Sequence, residues 1–408
     1  MYKAKLEGKC SYNFYNLEED QKTIIKHHHL QEIKDALANK QFSLFYQPKV
    51  SMDTGHIYGV EALIRWNKPN VGLVPPLEFL PIIEGTNVDI QLGEWVINNA
   101  LEQAEDWLKL GLDLELSINI SPHHLLSDVF FPQLEAALVK HPSINIERLQ
   151  IEILESVVIS DVTKVAEVMT RCKNTLGINF SLDDFGTGYS TLSHLRNLPA
   201  NTIKIDQSFV RNILQDNGDY SIIDGVIGLA NSFGRNIIAE GVETDEHGLM
   251  LLLMGCKDAQ GFGIAKPMAA EDIPEWIARY TGNPNWIKCG SSELSVKETS
   301  LSLFRLSTNY WFNAFKKGLL TNGKEIPDWA LKTHKHCQCG EWIKRAKQKK
   351  LFNKDWLLQL EVNHEKIHLQ ANQLYNYALV EPLSEPQLAI KELEKDMDDM
   401  VKHLVDYH

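Results

Sequence analysis

The segment INFSLDDFGTGYSTL, residues 178–192, joins an apolar β-rich run to two adjacent carboxylates, Asp183 and Asp184, and a glycine-containing turn. Similar β-rich runs recur between about residue 40 and residue 265, with amphipathic helical patterns between them. Alternation of strand and helix predicts parallel βα units. Eight strands within this span favour an α/β fold with a closed (β/α)8 barrel of the TIM type over one with an open sheet.

The predicted strands are short, and helical patterns fill the longer gaps between them. The strands cover residues 42–48, 58–66, 114–121, 149–156, 178–185, 202–207, 236–242 and 258–263. Clear helical patterns occupy 93–110 and 221–234, and a further predicted helix at 26–37 leads into the barrel. Consecutive side chains of a helix point in different directions, so we expect the histidines at 27–29 to be solvated and not to form a metal site.

The strand pattern stops near residue 280, which divides the chain into two parts. Residues 281–300 are rich in Gly, Pro, Asn and Ser, which is typical of a linker. Helical patterns then follow at 301–320, 336–349, 355–379 and 385–407. We therefore predict a barrel over residues 21–280, a linker over 281–300 and a smaller all-α four-helix bundle over 301–408. In the last helix, an apolar stripe at helical spacing is expected to pack within the bundle or against a second copy of it: Ile390, Leu393, Met397, Met400 and Leu404.

Composition limits the classes of partner and compartment. The formal net charge is −13, which argues against a nucleic-acid polymer as partner, while a small anionic substrate can still bind through metal ions. The 6 cysteines are scattered and do not form a secreted disulfide framework. The chain opens without a signal-peptide pattern, and its longest apolar stretch, at 249–256, is too short to cross a bilayer. We expect a soluble cytoplasmic protein without membrane insertion.

Polar side chains cluster at the carboxyl ends of the predicted strands, which meet at one mouth of a barrel. The set comprises Glu61, Asn119, Glu152, Asp183, Asp184, Lys204, Asp206, Glu240, Glu243 and Gln260. So many acids cannot all stay ionised at short range without counter-charge. Carboxylate and amide oxygens suit Mg²⁺ or Mn²⁺, with Asp183 bridging two ions and Asp184 holding the second. Two such ions can promote phosphoryl displacement by water, which Lys204 could orient or deprotonate.

A plainer interpretation applies to each residue taken alone. A single acid after a strand is commonly a helix N-cap or a solvated loop residue, and two acids before glycine often begin a turn. Turn chemistry does not account for acids at five or more successive strand ends. The set as a whole therefore predicts a metal site.

From about Tyr46 to Pro267, the chain resembles the EAL-domain phosphodiesterases of bacteria. The resemblance rests on an ordered series of motifs: YQP at 46–48, EALIRW at 61–66, NIS at 119–121, DDFGTGYS at 183–190, IKID at 203–206, AEGVET at 239–244 and QG at 260–261. It implies a two-metal enzyme that uses Mg²⁺ or Mn²⁺ to hydrolyse cyclic di-GMP to linear 5′-pGpG. It also implies a homodimer.

The same resemblance assigns roles by matching position. Glu61, Asn119, Glu152 and Asp183 match the ligands of one ion, and Asp183, Asp184 and Glu240 those of the second. Lys204 matches the residue that holds the catalytic water, with Gln260 nearby; the positions that contact substrate are Gln47, Arg65, Asp206, Gln260 and Pro267.

The resemblance also implies that the loop after Asp184 transmits changes at the dimer interface to the catalytic site. Glu155 matches the catalytic-site glutamate that holds this loop in place. One departure is Leu154, where the family usually has threonine. Loss of one hydrogen bond, about 1 kcal/mol, is expected to tune the loop rather than abolish the site.

Two further resemblances concern the ends of the chain. Residues 1–20 resemble the closing part of a GGDEF domain without its signature loop, so no cyclase activity is implied; an unrelated N-terminal helix is the alternative. The segment HCQCGEW (336–342) and the pair His364 and His368 resemble the chemoreceptor zinc-binding domain, a four-helix bundle with a three-histidine, one-cysteine site. Cys337, His364 and His368 are then the implied Zn²⁺ ligands.

The first histidine of that zinc site is missing, because Thr308 stands in its place. Threonine is a poor zinc ligand, so the fourth position is left to water, Cys339, His334 or His336. A bundle that has kept the fold and lost the metal is the alternative.

We therefore expect a cyclic di-GMP phosphodiesterase whose barrel is regulated by a C-terminal bundle that senses zinc or a related signal. A first alternative is a receptor that binds cyclic di-GMP without hydrolysing it and signals through protein contacts. A second is a zinc-sensing or interaction protein in which the barrel is only a scaffold.

Overall fold

The computed structural model describes residues 17–156, 161–188, 192–321, 325–380 and 386–405. Its described strands form one 10-stranded sheet in the order β10-β1-β9-β8-β7-β6-β5-β4-β2-β3, and pairing of β1 with β2 closes that sheet into a barrel. The strands are β1 (Phe42–Ser51), β2 (His56–Lys68), β3 (Gly72–Val74), β4 (Glu115–Asn119), β5 (Leu149–Leu154), β6 (Asn179–Phe185), β7 (Thr202–Ile205), β8 (Asn236–Ala239), β9 (Asp258–Ala259) and β10 (Met268–Ala269).

The barrel is mixed rather than fully parallel, which corrects the expectation of βα units throughout. Pairings from β2 through β4 to β9 are parallel, whereas β1 runs antiparallel to both of its barrel neighbours, β2 and β9. The cause is the connection at 52–55, which is far too short for the crossover that a parallel pair needs. Short β3 and β10 lie outside the barrel wall and pair with β2 and β1.

Helices cover the outside of the barrel and form the C-terminal bundle. In the described residues they are α1 (Leu17–Ala38), α2 (Pro76–Ile83), α3 (Asn87–Lys109), α4 (Pro122–Leu125), α5 (Phe130–Lys140), α6 (Val162–Leu176), α7 (Leu192–Asn197), α8 (Gln207–Asn212), α9 (Asn217–Ser232), α10 (Asp245–Met254), α11 (Ile273–Arg279), α12 (Pro284–Gly290), α13 (Val296–Leu319), α14 (Gln338–Lys349), α15 (Lys354–Val380) and α16 (Pro386–Val405). No helix among the described residues is long and apolar enough to span a membrane.

The ends of the chain bear on two sequence expectations. The predicted histidine-rich helix at 26–37 lies within α1, and its histidines at 27–29 are exposed, as expected of a solvated face. The segment that resembles the end of a GGDEF domain lies outside the described residues up to residue 16, so that resemblance stays a prediction.

The segment predicted as a linker instead carries a helix that packs on the barrel. Asn283 caps α12, and Trp286 is buried in the same core as the barrel strands. The indole Nε1 of Trp286 donates to the backbone oxygen of Asp245 at 2.9 Å. Gly248 permits this approach, because a Cβ there would lie 2.3 Å from the indole ring. Residues 284–290 therefore belong to the folded barrel unit.

The C-terminal helices α13 to α16 pack around their own apolar core, as the helical spacing predicts. Ser295 and Glu298 form a capping box at the start of α13. Aromatic side chains of α13, including Phe304 and Phe315, are fully buried. The predicted stripe of α16 is buried in this core as well, so its apolar face is covered within the chain: Ile390, Leu393, Met397, Met400 and Leu404.

The bundle contacts the barrel through Leu303 and Leu306 of α13, which pack against the barrel core, and through polar contacts with the end of α8 and the start of α9. The Gln338 side chain donates to the backbone oxygen of Ile213 at 2.7 Å. Asn217 donates to the backbone oxygen of His336 at 3.1 Å. The Arg345 guanidinium lies over the Tyr220 ring at 4.5 Å. The two units therefore meet through specific polar contacts and not only through chain connectivity.

His124 is buried on α4, directly after the strand that ends at Asn119. Its Nε2 lies 2.8 Å from Oε1 of Gln133, and the absence of a side chain at Gly93 makes room for the ring. Burial lowers the pKa of His124. The unfolded chain protonates this histidine near pH 6.5, whereas the folded chain keeps it neutral to lower pH, so the unfolded state binds more protons in that interval.

We predict that the free energy of unfolding decreases as pH falls below about 6.5, because the unfolded chain takes up a proton at His124 there while the folded chain keeps this histidine neutral to lower pH. In His124→Gln this decrease is smaller, since no proton is taken up at that position. Urea unfolding at a series of pH values measures the slope, with His123→Gln on the same short helix as the matched control. An unchanged slope in His124→Gln would contradict the prediction.

Candidate functional site

The barrel brings the predicted rim residues to one end of the sheet. Register pairs Gln47 with Glu61 across β1 and β2, and Asn119 with Glu152 across β4 and β5. Lys204 lies on β7, while Glu240 and Gln260 directly follow β8 and β9. Gln47 and Glu61 lie within the long strands β1 and β2, the others lie at or near the carboxyl ends of their strands, and the side chains of all of them converge at one mouth.

Lys204 occupies the centre of this rim and is fully buried. Its ammonium contacts carboxylates from four strand ends. The distances from Nζ are 2.5 Å to Glu152 Oε2, 2.6 Å to Glu240 Oε1, 3.2 Å to Asp183 Oδ1 and 3.3 Å to Glu61 Oε2. One cation therefore faces four acids, which leaves an excess of negative charge at the site when all are ionised.

Amide side chains fix the orientation of Glu61. Asn119 Nδ2 donates to Oε1 of Glu61 at 2.6 Å, and Gln260 Nε2 donates to Oε2 at 2.6 Å. Gln260 also donates to Oε1 of Gln47 at 2.8 Å, and Gln47 in turn donates to the backbone oxygen of Ala265 at 2.9 Å. The Glu61 carboxylate is thus held in one position before any ligand binds.

Burial and mutual repulsion oppose ionisation of the rim acids. Burial raises the pKa of Glu152 to about 7, with the charges of Glu61 and Asp183 adding to it. Burial, followed by the charges of Asp183 and Asp206, raises the pKa of Asp184 to about 7. Burial alone would also raise the pKa of Glu61, but Lys204 and the amides hold it below its ordinary value. Added positive charge would relieve this repulsion.

The donor set fits two hard divalent cations. Oxygens of Glu61, Glu152 and Asp183 all lie within 4.8 Å of one another, and so do oxygens of Asp183, Asp184 and Glu240. Asp183 is common to both groups, as expected for a bridging ligand. Oε1 of Glu152 is buried and has no hydrogen-bond partner among the described residues. An oxygen without a partner inside a carboxylate cluster is where a cation would bind.

A bulge explains how two adjacent aspartates serve the same site. In a regular strand, consecutive side chains point to opposite faces. Here the register of β6 with β7 shifts between Leu182 and Phe185, and Asp184 has a left-handed φ of 54°. The backbone N–H of Asp184 donates to Oδ1 of Asp183 at 3.0 Å. The irregularity turns Asp184 toward the rim instead of away from it.

Glu155 holds the loop after Asp184. Its Oε2 accepts from the backbone N–H groups of Gly186 at 2.9 Å and Gly188 at 3.2 Å. The following part of the DDFGTGYS motif, residues 189–191, lies outside the described residues. Leu154, the departure noted in the sequence, is partly exposed and leaves these Glu155 contacts in place.

An open cavity of about 200 Å³ lies next to the rim carboxylates, and two of the five positions predicted to contact substrate belong to its wall. Gln47 and Gln260 line this cavity. Arg65 is held at the rim by a 2.9 Å hydrogen bond to the backbone oxygen of Ile64, and Asp206 caps α8. Pro267 is half-buried directly before β10. The roles of these five residues in substrate binding stay predictions.

Sequence reasoning missed two residues that line the same cavity. Gln207 and Arg211 lie four residues apart on α8, and Arg211 pairs with Glu243 at 3.5 Å. A helix places residues four apart on one face, so the spacing after IKID was the available signal.

The bundle contains a second cluster of metal-type ligands. Atoms of Cys337, His364 and His368 lie within 4.8 Å of one another, and all three side chains are buried. Sγ of Cys337 lies 3.3 Å from Nε2 of His364 and accepts from the backbone N–H of Gly340 at 3.3 Å. Hydrogen bonds from Cys339 and the histidines hold the pKa of Cys337 well below its ordinary value.

The candidates for the fourth position differ in where they lie. Cys339 is buried beside Thr308, with 3.2 Å between Sγ and Oγ1. His336 bonds to Thr333 at 2.8 Å, and Nε2 of His334 lies 3.7 Å from Glu365. Cys339 lines the cavity beside the cluster, whereas neither histidine does, although the His334 ring packs edge-on to that of His364 with 6.5 Å between their centroids.

Comparison with known proteins bears on the barrel. The EAL domain family model matches residues 30–267 and does not extend into the bundle. The chain is 39% identical over 251 residues, 61% of its length, to the cyclic di-GMP phosphodiesterase PA2567 of Pseudomonas aeruginosa, and covers 42% of that protein. It is 35% identical over 279 residues, 68% of its length, to the bifunctional diguanylate cyclase/cyclic di-GMP phosphodiesterase MucR of the same organism, and covers 40% of it. The chain thus spans about two fifths of the length of these relatives.

Solved structures agree with this match. The PaMucR phosphodiesterase in complex with c-di-GMP superposes with a TM-score of 0.58 at 36% identity, over 60% of this chain and 99% of that one. The EAL enzyme Bd1971, bound to cAMP and cyclic di-GMP, gives 0.60 at 34% identity, over 64% of this chain and 71% of that one. With the family model, these similarities show that the chain belongs to the EAL domain family.

Proposed function

We propose that this chain hydrolyses one phosphodiester bond of cyclic di-GMP, giving linear 5′-pGpG, with two Mg²⁺ or Mn²⁺ ions. The observation that carries the proposal is a pair of three-carboxylate clusters at one rim of the barrel. The two clusters have Asp183 in common and lie around the buried Lys204. Relatives described as cyclic di-GMP phosphodiesterases and a related structure that holds c-di-GMP support the choice of substrate.

The proposed roles of the rim residues in metal binding and in orienting water follow from their positions. Glu61, Asn119, Glu152 and Asp183 would hold one ion, and Asp183, Asp184 and Glu240 the other. The ions, when bound, would supply activated water and stabilise the leaving oxygen. Lys204 has three N–H donors and no acceptor, so it would orient that water by donating to its oxygen.

The residues around the cavity would bind the dinucleotide. Arg65 offers a guanidinium to a phosphate as a charge-assisted clamp. Gln47 and Gln260 offer amide groups, and the backbone of the loop held by Glu155 would keep Asp184 in place.

Product analysis tests the enzymatic proposal. Purified protein incubated with cyclic di-GMP and Mg²⁺ or Mn²⁺ is expected to yield 5′-pGpG, measured by chromatography. Binding of cyclic di-GMP by calorimetry without product in either metal would instead establish the alternative, a receptor that signals through protein contacts. A homodimer, proposed from the family resemblance alone, is tested by sedimentation equilibrium with and without cyclic di-GMP.

We also propose that Cys337, His364 and His368 bind Zn²⁺ and that the ion regulates the barrel. The support is the buried cluster itself and the contact of the bundle with the α8–α9 segment. Regulation is tested by the turnover rate with and without a chelator that prefers zinc to magnesium; an unchanged rate would argue against it.

We predict that Cys337→Ala removes this zinc. Wild-type protein dialysed against trace zinc should retain about one more ion per chain than the variant, because a thiolate is the strongest of the three proposed ligands. Elemental analysis gives the stoichiometry. Cys289→Ala, a change on α12 outside the cluster, is the control and should keep the wild-type zinc content. Equal zinc in wild type and Cys337→Ala would contradict the prediction.

A further inference from the structure

The Cys337, His364 and His368 cluster borders a small cavity that is large enough for one small occupant. The cavity has a volume of about 20 Å³, and Thr308 and Cys339 line it together with the three ligands. A single water or ion needs at least about 10–15 Å³ measured in this way. Nδ1 of His364 is buried without a partner among the described residues, while Nε2 faces Cys337.

The spacing of the ligand atoms suits a tetrahedral ion. Zinc with bonds of about 2.3 Å to sulphur and 2.0–2.1 Å to nitrogen places those two ligand atoms about 3.6 Å apart. The observed distance from Cys337 Sγ to His364 Nε2 is 3.3 Å, so a small outward movement admits the ion. Three ligands occupy three corners and leave one to be filled.

Cys339 is the cysteine beside the three ligands, in the same cavity lining. It follows Cys337 by two residues in the first turn of α14 and is buried. Thr308, which faces it, is already engaged, because its hydroxyl donates to the backbone oxygen of Phe304 at 2.8 Å. A threonine with its hydroxyl turned to the backbone leaves room for the sulphur.

We propose that Cys339 completes a two-cysteine, two-histidine site for a borderline-soft divalent ion such as Zn²⁺. The inference rests on the proposed zinc site and adds to it the residue that replaces the missing histidine. On binding, both thiols lose their protons to solvent, and the two thiolates balance the charge of the ion. Thiolate and imidazole donors select such ions over the Mg²⁺ or Mn²⁺ proposed for the barrel.

Cobalt substitution counts the thiolates directly. Full-length wild type titrated with Co²⁺ is expected to show thiolate-to-cobalt charge-transfer absorption from two sulphurs, to which carboxylate sites in the barrel contribute nothing. Cys339→Ser should lose about half of that absorption per bound cobalt and bind at least about tenfold more weakly. Cys289→Ser is the matched control and should give the wild-type spectrum.

The outcomes separate this inference from the proposed zinc site. If Cys339→Ser keeps the full charge-transfer band and the wild-type affinity, Cys339 is not a ligand, although the three-residue site stands. If wild type shows no such band, the zinc site itself is absent and the inference fails with it.

A second inference has a different basis, the path from this cluster to the rim. Gln338, between the two cysteines, donates to the backbone oxygen of Ile213 directly after α8. Leu214 and Gln215 wall the Cys/His cavity. At its other end α8 is capped by Asp206, two residues after Lys204.

The start of α8 also touches the loop that carries Glu240. Gly241 has a φ of 67°, and a Cβ there would lie 2.5 Å from Cβ of Gln207. Contact this close means that a shift of α8 moves Gly241 and therefore its neighbour Glu240. Arg211 and Gln207, which line the substrate cavity, would move with the helix.

We infer that α8 couples ion binding in the bundle to the rim, with Gln338 as the positioning residue. Zinc is expected to slow amide hydrogen exchange in the peptide over residues 207–214 and to change kcat/KM by about fivefold or more in wild type, as is typical of linked sites. In Gln338→Ala both responses should be lost while the zinc content is unchanged.

Gln359→Ala, an exposed glutamine on α15 that bonds to Asn363, is the matched control and should respond like wild type. A Gln338→Ala variant with the full zinc response would overturn the coupling, and so would a zinc-loaded wild type whose exchange in 207–214 does not change. Loss of zinc from the variant would be seen in its metal content and would show instead that Gln338 supports the ion.

Discussion

Glu61→Gln is expected to lower kcat for cyclic di-GMP by about 10³-fold or more, because the amide cannot supply the charge that a divalent cation requires. The carboxylate of Glu61 accepts hydrogen bonds from Asn119 and Gln260 and lies beside the Lys204 ammonium. A glutamine there would direct its own N–H group toward one of these donors, so the rim would lose its order as well as a ligand. Chromatographic measurement of 5′-pGpG with Mg²⁺ or Mn²⁺ gives the rate.

Glu115→Gln provides the matched control for Glu61→Gln. Glu115 lies on β4 at the opposite end of the barrel, where its carboxylate pairs with the buried Lys49 at 2.6 Å. Loss of this pair should lower the free energy of unfolding but keep kcat within about twofold, because Glu115 is far from the rim. The control therefore distinguishes an effect on catalysis from an effect on stability. A Glu61→Gln variant that folds and retains more than a tenth of the wild-type kcat would contradict the assignment of Glu61.

Lys204→Met is expected to lower the free energy of unfolding by about 3–5 kcal/mol in the absence of divalent cations. Removing the ammonium leaves four buried or nearly buried carboxylates without their common partner. Mn²⁺ should then restore much of the stability, and its stabilising effect should be larger in the variant than in wild type. Turnover should remain lost, since nothing replaces Lys204 in orienting water.

Lys49→Met is the matched control, because Lys49 is also a fully buried lysine of the barrel. Its ammonium contacts Glu115 and Ser117 and none of the four carboxylates around Lys204, so the variant should be destabilised without rescue by Mn²⁺. Denaturant unfolding of both variants, with and without Mn²⁺, measures these differences. Equal responses of Lys204→Met and Lys49→Met to Mn²⁺ would mean that the rim is not the metal site.

Much of the barrel could be predicted because each strand ends in a residue with a distinct chemistry. The period and ends of the strands place Glu61, Asn119 and Lys204 at one mouth without any knowledge of the packing. Periodicity carries no information about strand direction, so the antiparallel β1 followed only from the short turn after it. The bulge that aims Asp184 at the rim depends on the pairing of β6 with β7, which no local pattern reports.

Other features depended on contacts between distant segments. The composition of residues 281–300 suggested a linker, although Asn283 and Pro284 carried a helix-start signal. Only the three-dimensional structure shows Trp286 beside Gly248. Similarly, the sequence offered three protein side chains to replace the missing ligand at Thr308. The packing of α13 against α14 favours Cys339 among them, because it places this residue beside Thr308 in the cavity lining. The helices of the bundle, in contrast, were predicted to within about two residues of their described ends because their apolar spacing is regular, except that α13 begins at Val296, five residues before the predicted start.

The docking of α12 also sets a lower limit on the fragment that can serve as an isolated catalytic unit. A truncation at Pro267, where the family match ends, would delete the partner strand of β1 and expose the surface of α10 that the Trp286 indole covers. Such a truncated protein would be prone to aggregate during expression. Biochemists who want the barrel without its bundle should therefore keep the chain at least through Gly290, and should expect a cut there to uncover the barrel surface on which Leu303 and Leu306 of α13 pack.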